Sequence, residues 1–179
     1  SSNVTGVQTC ALPISSKSKW VMRLFKSQKE EVQHEDVMPI VLACLNMGKQ
    51  KEGALIVIER HTGLKEIIRT GELIDADINQ RLIENIFFKN SPLHDGAMVI
   101  SKQRITAAGC ILPVSHNNDI PRSLGLRHRA ALGMTQQSDC LAIVVSEETG
   151  NISVAEDGHF HLKLTAEELE RILTEAWIA

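Results

Sequence analysis

A chain of 179 residues with 43% hydrophobic and 23% charged residues is sized for one ordinary domain with short tails and has the apolar content to bury a core. Aromatics make up only 3% and tyrosine is absent, so a stacking platform for single-stranded nucleic acid has almost nothing to be built from. The net charge of -3 is uneven: residues 1–29 hold Lys17, Lys19, Arg23, Lys26 and Lys29 and no carboxylate, and the remainder stands at -8, so phosphate must be met at a local site or through metal ions rather than by a basic surface.

Residues 1–15 have neither helical periodicity nor the plan of a secretory signal and are read as a tail of non-native or disordered character. Residues 16–33 form a basic amphipathic segment with Trp20, Val21, Leu24 and Phe25 on one helical face, either a membrane-surface helix or one docked on the domain. The domain itself spans 34–179. Asp36 is suited to cap a helix with Pro39 in its first turn, Ile40, Val41, Cys44 and Leu45 on one face, and Gly48 as its stop. The apolar run from Gly53 to Glu59 predicts a central strand, and Asp77 opens a second helix reaching Phe88.

Two strand-like runs, Ala97 to Ser101 and Arg104 to Cys110, stand at hairpin spacing across Lys102 and Gln103. A short helix is predicted from Gly125 to Leu132, then a strand from Cys140 to Ser146, a turn, and a return strand from Asn151 to Ala155. Thr165 and Glu168 form a capping box for a last helix with a stripe of Leu169, Ile172, Leu173 and Ala176. Interleaved strands and helices with hairpins predict a single α/β (α+β) domain, a mixed central sheet flanked by helices on both faces. No apolar run approaches the roughly 18 residues of a membrane span. Cys10, Cys44, Cys110 and Cys140 make no C-x-x-C pair and read as thiols of a reducing compartment.

Three polar clusters interrupt this apolar pattern. In the first, His94 and Asp95 precede Gly96 and Ala97 at a strand entrance, where a glycine permits close approach to the backbone. In the second, Arg127, His128 and Arg129 follow Gly125 and Leu126 on a helix, and arginine suits forked contacts to phosphate. The third, Ser146, Glu147, Glu148, Thr149 and Gly150, ends a strand; adjacent strand residues face opposite ways, so one glutamate at most points into a site. If that strand runs antiparallel to the one starting at Ala97, Asp95 and Glu148 lie at the same sheet edge and can share Mg²⁺ or Mn²⁺. His159 and His161 share a strand face but lack a third ligand at suitable spacing. P-loop, Rossmann and serine-hydrolase signatures are absent.

Taken together, PLHDGA at 92–97, RHRAALG at 127–133 and VSEETG at 145–150, with GALIVIE at 53–59 and TGEL at 70–73 where that family has its first strand and following loop, resemble the diadenylate cyclase domain of the bacterial membrane-anchored type over roughly residues 36–178. The resemblance implies metal-dependent condensation of two ATP into cyclic di-AMP and two pyrophosphates by a transient or weak face-to-face homodimer, with Mn²⁺ or Mg²⁺ as cofactor. It implies that Asp95 acts at the metal and the attacking 3′-hydroxyl, and that Gly96 and Ala97 contact the nucleotide through backbone. Arg127, His128 and Arg129 would hold phosphates, Glu148 and His94 would bind metal, and Ser146 and Glu147 would lie at the nucleotide. Ile111 and Leu112 would wall the adenine. Leu126 stands where many members have threonine, so either its backbone amide suffices for phosphate or catalysis is weaker.

The resemblance further implies a cytoplasmic domain whose full-length protein is anchored at the cell membrane by N-terminal helices missing here, open to a regulatory protein partner, with no nucleic-acid role. Two other readings stay open: a catalytically silent module sensing ATP or cyclic di-AMP, and a metal-dependent phosphohydrolase, for which too few ligands can be nominated.

Overall fold

The computed structural model describes residues 37–114 and 124–178. The expected cap at Asp36, the basic segment and Cys10 lie outside the described residues. Among the described residues there are five helices and seven strands: α1 (37–50), β1 (Ala54–Ile58), α2 (Lys65–Ile68), β2 (Glu72–Asp77), α3 (Gln80–Phe87), β3 (Ala97–Ser101), β4 (Arg104–Cys110), α4 (Leu126–Gln137), β5 (Leu141–Val145), β6 (Ile152–Glu156), β7 (His159–His161) and α5 (Ala166–Ile178). The strands form one sheet in the order β2-β4-β3-β1-β5-β6-β7. Only β1 and β3 are parallel; every other neighbouring pair is antiparallel.

The three middle strands are buried at every residue, which explains their unbroken apolar runs. Alternation divides β1 between the two faces of the sheet. Ala54, Ile56 and Ile58 pack with α1, α3 and α5 through Ile40, Met47, Phe87, Leu169 and Leu173. Leu55 and Val57 pack with α2 and α4 through Leu64, Ala131 and Met134. The result is the expected mixed sheet between helical layers. Among the described residues, no helix is long and apolar enough to cross a membrane.

Several boundaries differ from those expected, for identifiable reasons. Asp77 closes β2 and does not open a helix; Asn79 caps α3, accepting from the Leu82 amide at 3.2 Å. The strand β2 escapes a hydrophobic pattern because it is an edge strand, held by backbone pairing to β4 and by Arg104, which pairs with both Asp75 and Asp77. Helix α1 continues past Gly48, because that glycine serves packing: a Cβ on it would stand 2.6 Å from the Gly150 carbonyl. Lys51 takes the left-handed turn instead, at φ 55°. Helix α4 runs on to Gln137, beyond the expected Leu132. The hairpin at Lys102 and Gln103 has both residues at positive φ, 51° and 60°, the geometry that matches strand twist across a two-residue loop. The capping box of α5 is reciprocal, with Thr165 N–H donating to Glu168 at 2.8 Å and Glu168 N–H to Thr165 Oγ1 at 3.2 Å.

Asp139 ties the loop after β1 to the start of β5 by accepting from the His61 and Thr62 amides at 3.0 and 2.9 Å. Desolvation acts to raise its pKa, but the hydrogen bonds from Thr62 and His61 win and hold it down at about 2. A carboxyl depressed in the folded state stabilises above the unfolded value of about 4, and that contribution is lost as pH falls toward 2. In urea titrations, Asp139→Asn should be less stable than the parent at pH 7, with the gap narrowing below about pH 4. A gap that stays constant down to pH 2.5 would refute this coupling.

Candidate nucleotide site

Because β1 and β3 are parallel and β5 is antiparallel to both, the start of β1, the start of β3 and the end of β5 meet at one edge of the sheet. The PLHDGA and VSEETG motifs therefore converge there although β1 lies between their strands. The first turn of α4, carrying the arginine cluster, faces the same edge. Two cavities open here, and Asp95 and Arg127 line both.

One cavity, about 390 Å³, is apolar, with Leu55, Cys110, Ile111, Leu112, Leu126 and Ala130 in its wall. Burial pushes the Cys110 thiol up to about 11, so this wall stays uncharged at neutral pH. The other, about 340 Å³, is charged, with Lys51, Glu52, Lys89, His94 and Glu147 around it. Gly96 joins strand to loop at φ 109°, and a side chain there would also strike the Cys110 carbonyl, its Cβ only 2.7 Å away. Ala97 is buried as the first residue of β3.

Arg127 is half-buried and its Nη1 lies 3.2 Å from Glu147 Oε1, while its buried Nε has no partner. A buried donor without an acceptor is costly in a closed structure and points to a ligand that supplies one. Gly125 caps α4 without a side chain, so the first turn keeps N–H groups suited to an anion. His94 Nδ1 lies 2.6 Å from the Ser91 carbonyl, and Nε2 faces Asp95 Oδ1 at 3.5 Å. The carbonyl can only accept, so Nδ1 carries the hydrogen, and Nε2, when it carries none, turns its lone pair toward the carboxylate. Two acceptors in that relation suit a cation between them.

Of the remaining expected site residues, Glu147 alone lines a cavity of this site. His128 is buried edge-on against Phe160, with ring centroids 5.8 Å apart, and lines neither cavity. Desolvation lowers its pKa, opposed in part by the Glu147 charge, so at neutral pH it is an uncharged packing group. Arg129 is half-buried and also lines neither cavity. Glu147 is the glutamate that reaches the charged cavity, whereas Glu148 is exposed in the turn and lines neither. Ser146 Oγ accepts from the Glu148 and Thr149 amides at 3.3 Å each and so organises that turn. His159 and His161 sit on the far edge strand, and no cluster of three potential metal ligands occurs among the described residues.

Sequence reasoning missed Lys51, Glu52 and Lys89. The signal was available in part, because a parallel neighbour of β3 must bring its own preceding loop to the same edge.

A mixed α/β domain with an apolar chamber opening onto a charged one at the ends of its central strands is a plan suited to nucleotides. The chain belongs to the DisA bacterial checkpoint controller nucleotide-binding (DAC) family, whose model matches residues 41–160. It is 45% identical over 144 residues to the cyclic di-AMP synthase CdaA of Bacillus subtilis (strain 168), covering 80% of this chain and 53% of that protein. Over 149 residues it is 42% identical to the diadenylate cyclase of Listeria monocytogenes serotype 1/2a (strain 10403S), covering 83% of this chain and 55% of that one. The crystal structure of a DacA double mutant from Staphylococcus aureus superposes with a TM-score of 0.82 at 42% identity, covering 83% of this chain and 99% of that chain. The chain spans about half the length of the curated relatives it matches.

Proposed function

We propose that this domain is a diadenylate cyclase, joining two ATP molecules into cyclic di-AMP with release of two pyrophosphates. The observation that carries the proposal is the pair of cavities meeting at Asp95 and Arg127. The apolar chamber takes the adenine against Ile111 and Leu112, and the charged chamber takes the phosphates. The reacting α-phosphate then falls at the junction. There the Asp95 carboxylate stands beside the attacking 3′-hydroxyl, and the Nε edge of Arg127 meets charge that grows on the departing pyrophosphate. Lys51 and Lys89 add positive charge around the same chamber.

The donor set fits a divalent cation. His94 Nε2 and Asp95 would hold Mn²⁺ or Mg²⁺ from the protein side, with the other positions left to phosphate and water, as these ions are often bound. The ion would supply neutralisation of phosphate charge. Glu148 would join it only by a change in the turn.

Each domain has one such cleft among its described residues, and ring closure needs two nucleotides with opposed 3′-hydroxyls, so two protomers must meet face to face. The test is incubation with ATP and Mn²⁺ or Mg²⁺ from low to high micromolar protein, with chromatography for cyclic di-AMP and light scattering for mass. Activity per protomer should rise with concentration. Constant specific activity in a demonstrably monomeric range would refute the face-to-face mechanism. One observation favours the alternative of a silent sensor: Leu126, 78% exposed, offers phosphate no hydroxyl. ATP binding without product would establish that reading.

The geometry also assigns a positioning role to Gly53. A Cβ there would lie 2.7 Å from Glu147 Oε2 and 2.8 Å from Arg127 Nη1, displacing the pair that aims the guanidinium. Gly53→Ala should leave thermal stability nearly unchanged, because the atoms it strikes end flexible side chains, yet weaken ATP binding about tenfold. Calorimetric titration with ATP measures this; unchanged affinity would remove Gly53 from the site.

A further inference from the structure

The opposite end of the same strands holds a cavity of similar size, about 340 Å³, that the proposed cyclase chemistry does not use. It lies where β1 and β3 end, between Ile58, Glu59, Arg60, Lys102, Ala176 and Trp177. Five-residue strands separate it from the nucleotide site by roughly 16 Å.

Two of the side chains that line it carry buried donors without a partner. Among the described residues three buried side-chain atoms lack any hydrogen-bond partner: Arg127 Nε at the nucleotide site, and Arg60 Nε and Trp177 Nε1, both from side chains lining this second cavity. Arg60 is anchored at one end by Glu156, which accepts from its Nη1 at 2.7 Å, while its Nε edge stays unmatched. The one carboxylate in the lining, by contrast, is engaged through both oxygens. Glu59 accepts from Ser101 Oγ at 2.6 Å through one oxygen and from the Leu64 amide at 2.7 Å through the other. Lys102, exposed on the β3–β4 turn, has no carboxylate partner among the described residues.

We infer that this cavity is a second binding site, for a small oxyanion of the carboxylate or phosphate class, held by Arg60, Trp177 Nε1–H and Lys102 against the apolar wall of Ile58 and Ala176. A forked oxyanion satisfies the Nε edge of an arginine, and an indole N–H is a donor with no competing acceptor role. With Nη1 kept on Glu156, small rotations of the Arg60 and Trp177 side chains would turn the two buried donors toward the ligand. The inference does not depend on the reading of Asp95 and Arg127.

Trp177 supplies the readout. In the full ¹⁵N-labelled chain, its indole N–H resonance is assigned with Trp177→Phe and followed during separate titrations with sodium phosphate and sodium acetate at fixed pH, against sodium chloride at matched ionic strength. The expected result is a saturable shift with at least one oxyanion and none with chloride; which of the two binds tells phosphate from carboxylate. Arg60→Gln should weaken that binding about tenfold, Lys102→Ala at least about twofold, and Arg127→Ala should leave it unchanged. No saturable shift, an equal shift with chloride, or loss in Arg127→Ala would overturn the site. If Arg60→Gln fails to fold, Lys102→Ala decides, and unchanged affinity there overturns it as well.

Discussion

Asp95→Asn should lower the rate of cyclic di-AMP synthesis by at least about a hundredfold while leaving the fold intact. The side chain is 87% exposed, and its ion-pair partner among the described residues is His94 Nε2 at 3.5 Å, so thermal stability has little to lose. The chemistry has much to lose. The amide keeps size and shape but removes the negative charge from the point where both chambers meet, and with it the attraction for a cation and for the proton of the attacking hydroxyl. Product chromatography over a time course with ATP and Mn²⁺ or Mg²⁺, beside a melting curve, measures both. Synthesis at the parental rate would dismiss Asp95 from the reaction and with it the assignment of the PLHDGA loop.

Arg127→Ala is expected to reduce kcat/KM for ATP by about tenfold to a few hundredfold, the range for losing a charge-assisted hydrogen bond that strengthens as pyrophosphate departs. Both kcat and KM should suffer, because the ground-state triphosphate and the transition state each use the guanidinium. Glu147, left without its partner, is 53% exposed and therefore solvated, so the variant should melt near the parent. Arg127→Lys restores charge without the fork and should fall between the two. Kinetics unchanged from the parent in Arg127→Ala would return this arginine to an ordinary helix edge.

Much of the architecture is legible in the amino-acid sequence because burial writes itself into residue order. The runs ALIVI, AMVIS and LAIVV announce the central strands, Lys102 and Gln103 a two-residue hairpin, and Thr165 with Glu168 a helix start. Strand β2 is not legible in this way. ELIDAD is exposed at the sheet's edge, and only pairing with β4 and the grip of Arg104 on two aspartates make it a strand. Gly48 misleads for a related reason, since a helix stop and a close backbone contact both ask for glycine, and only the approach of Gly150 reveals which applies.

For the site the division is sharper. Three motifs in order suffice for the family, since each is a local string whose chemistry survives without coordinates. Which side chains face the ligand is a tertiary matter. Alternation along a strand does not extend into the turn after Val145, so the direction of Glu147 toward Arg127, with Glu148 outward, is decided by how that turn folds on Ser146. Neighbours on a helix point about 100° apart, so Arg127 can open on the cleft while His128 goes under Phe160, and the angle at which α4 meets the sheet selects between them. The approach of Lys51 and Lys89 has the same origin. Their positions in the chain carry no motif, and they reach the charged chamber only because the parallel pairing of β1 with β3 brings the loops before both strands to one edge.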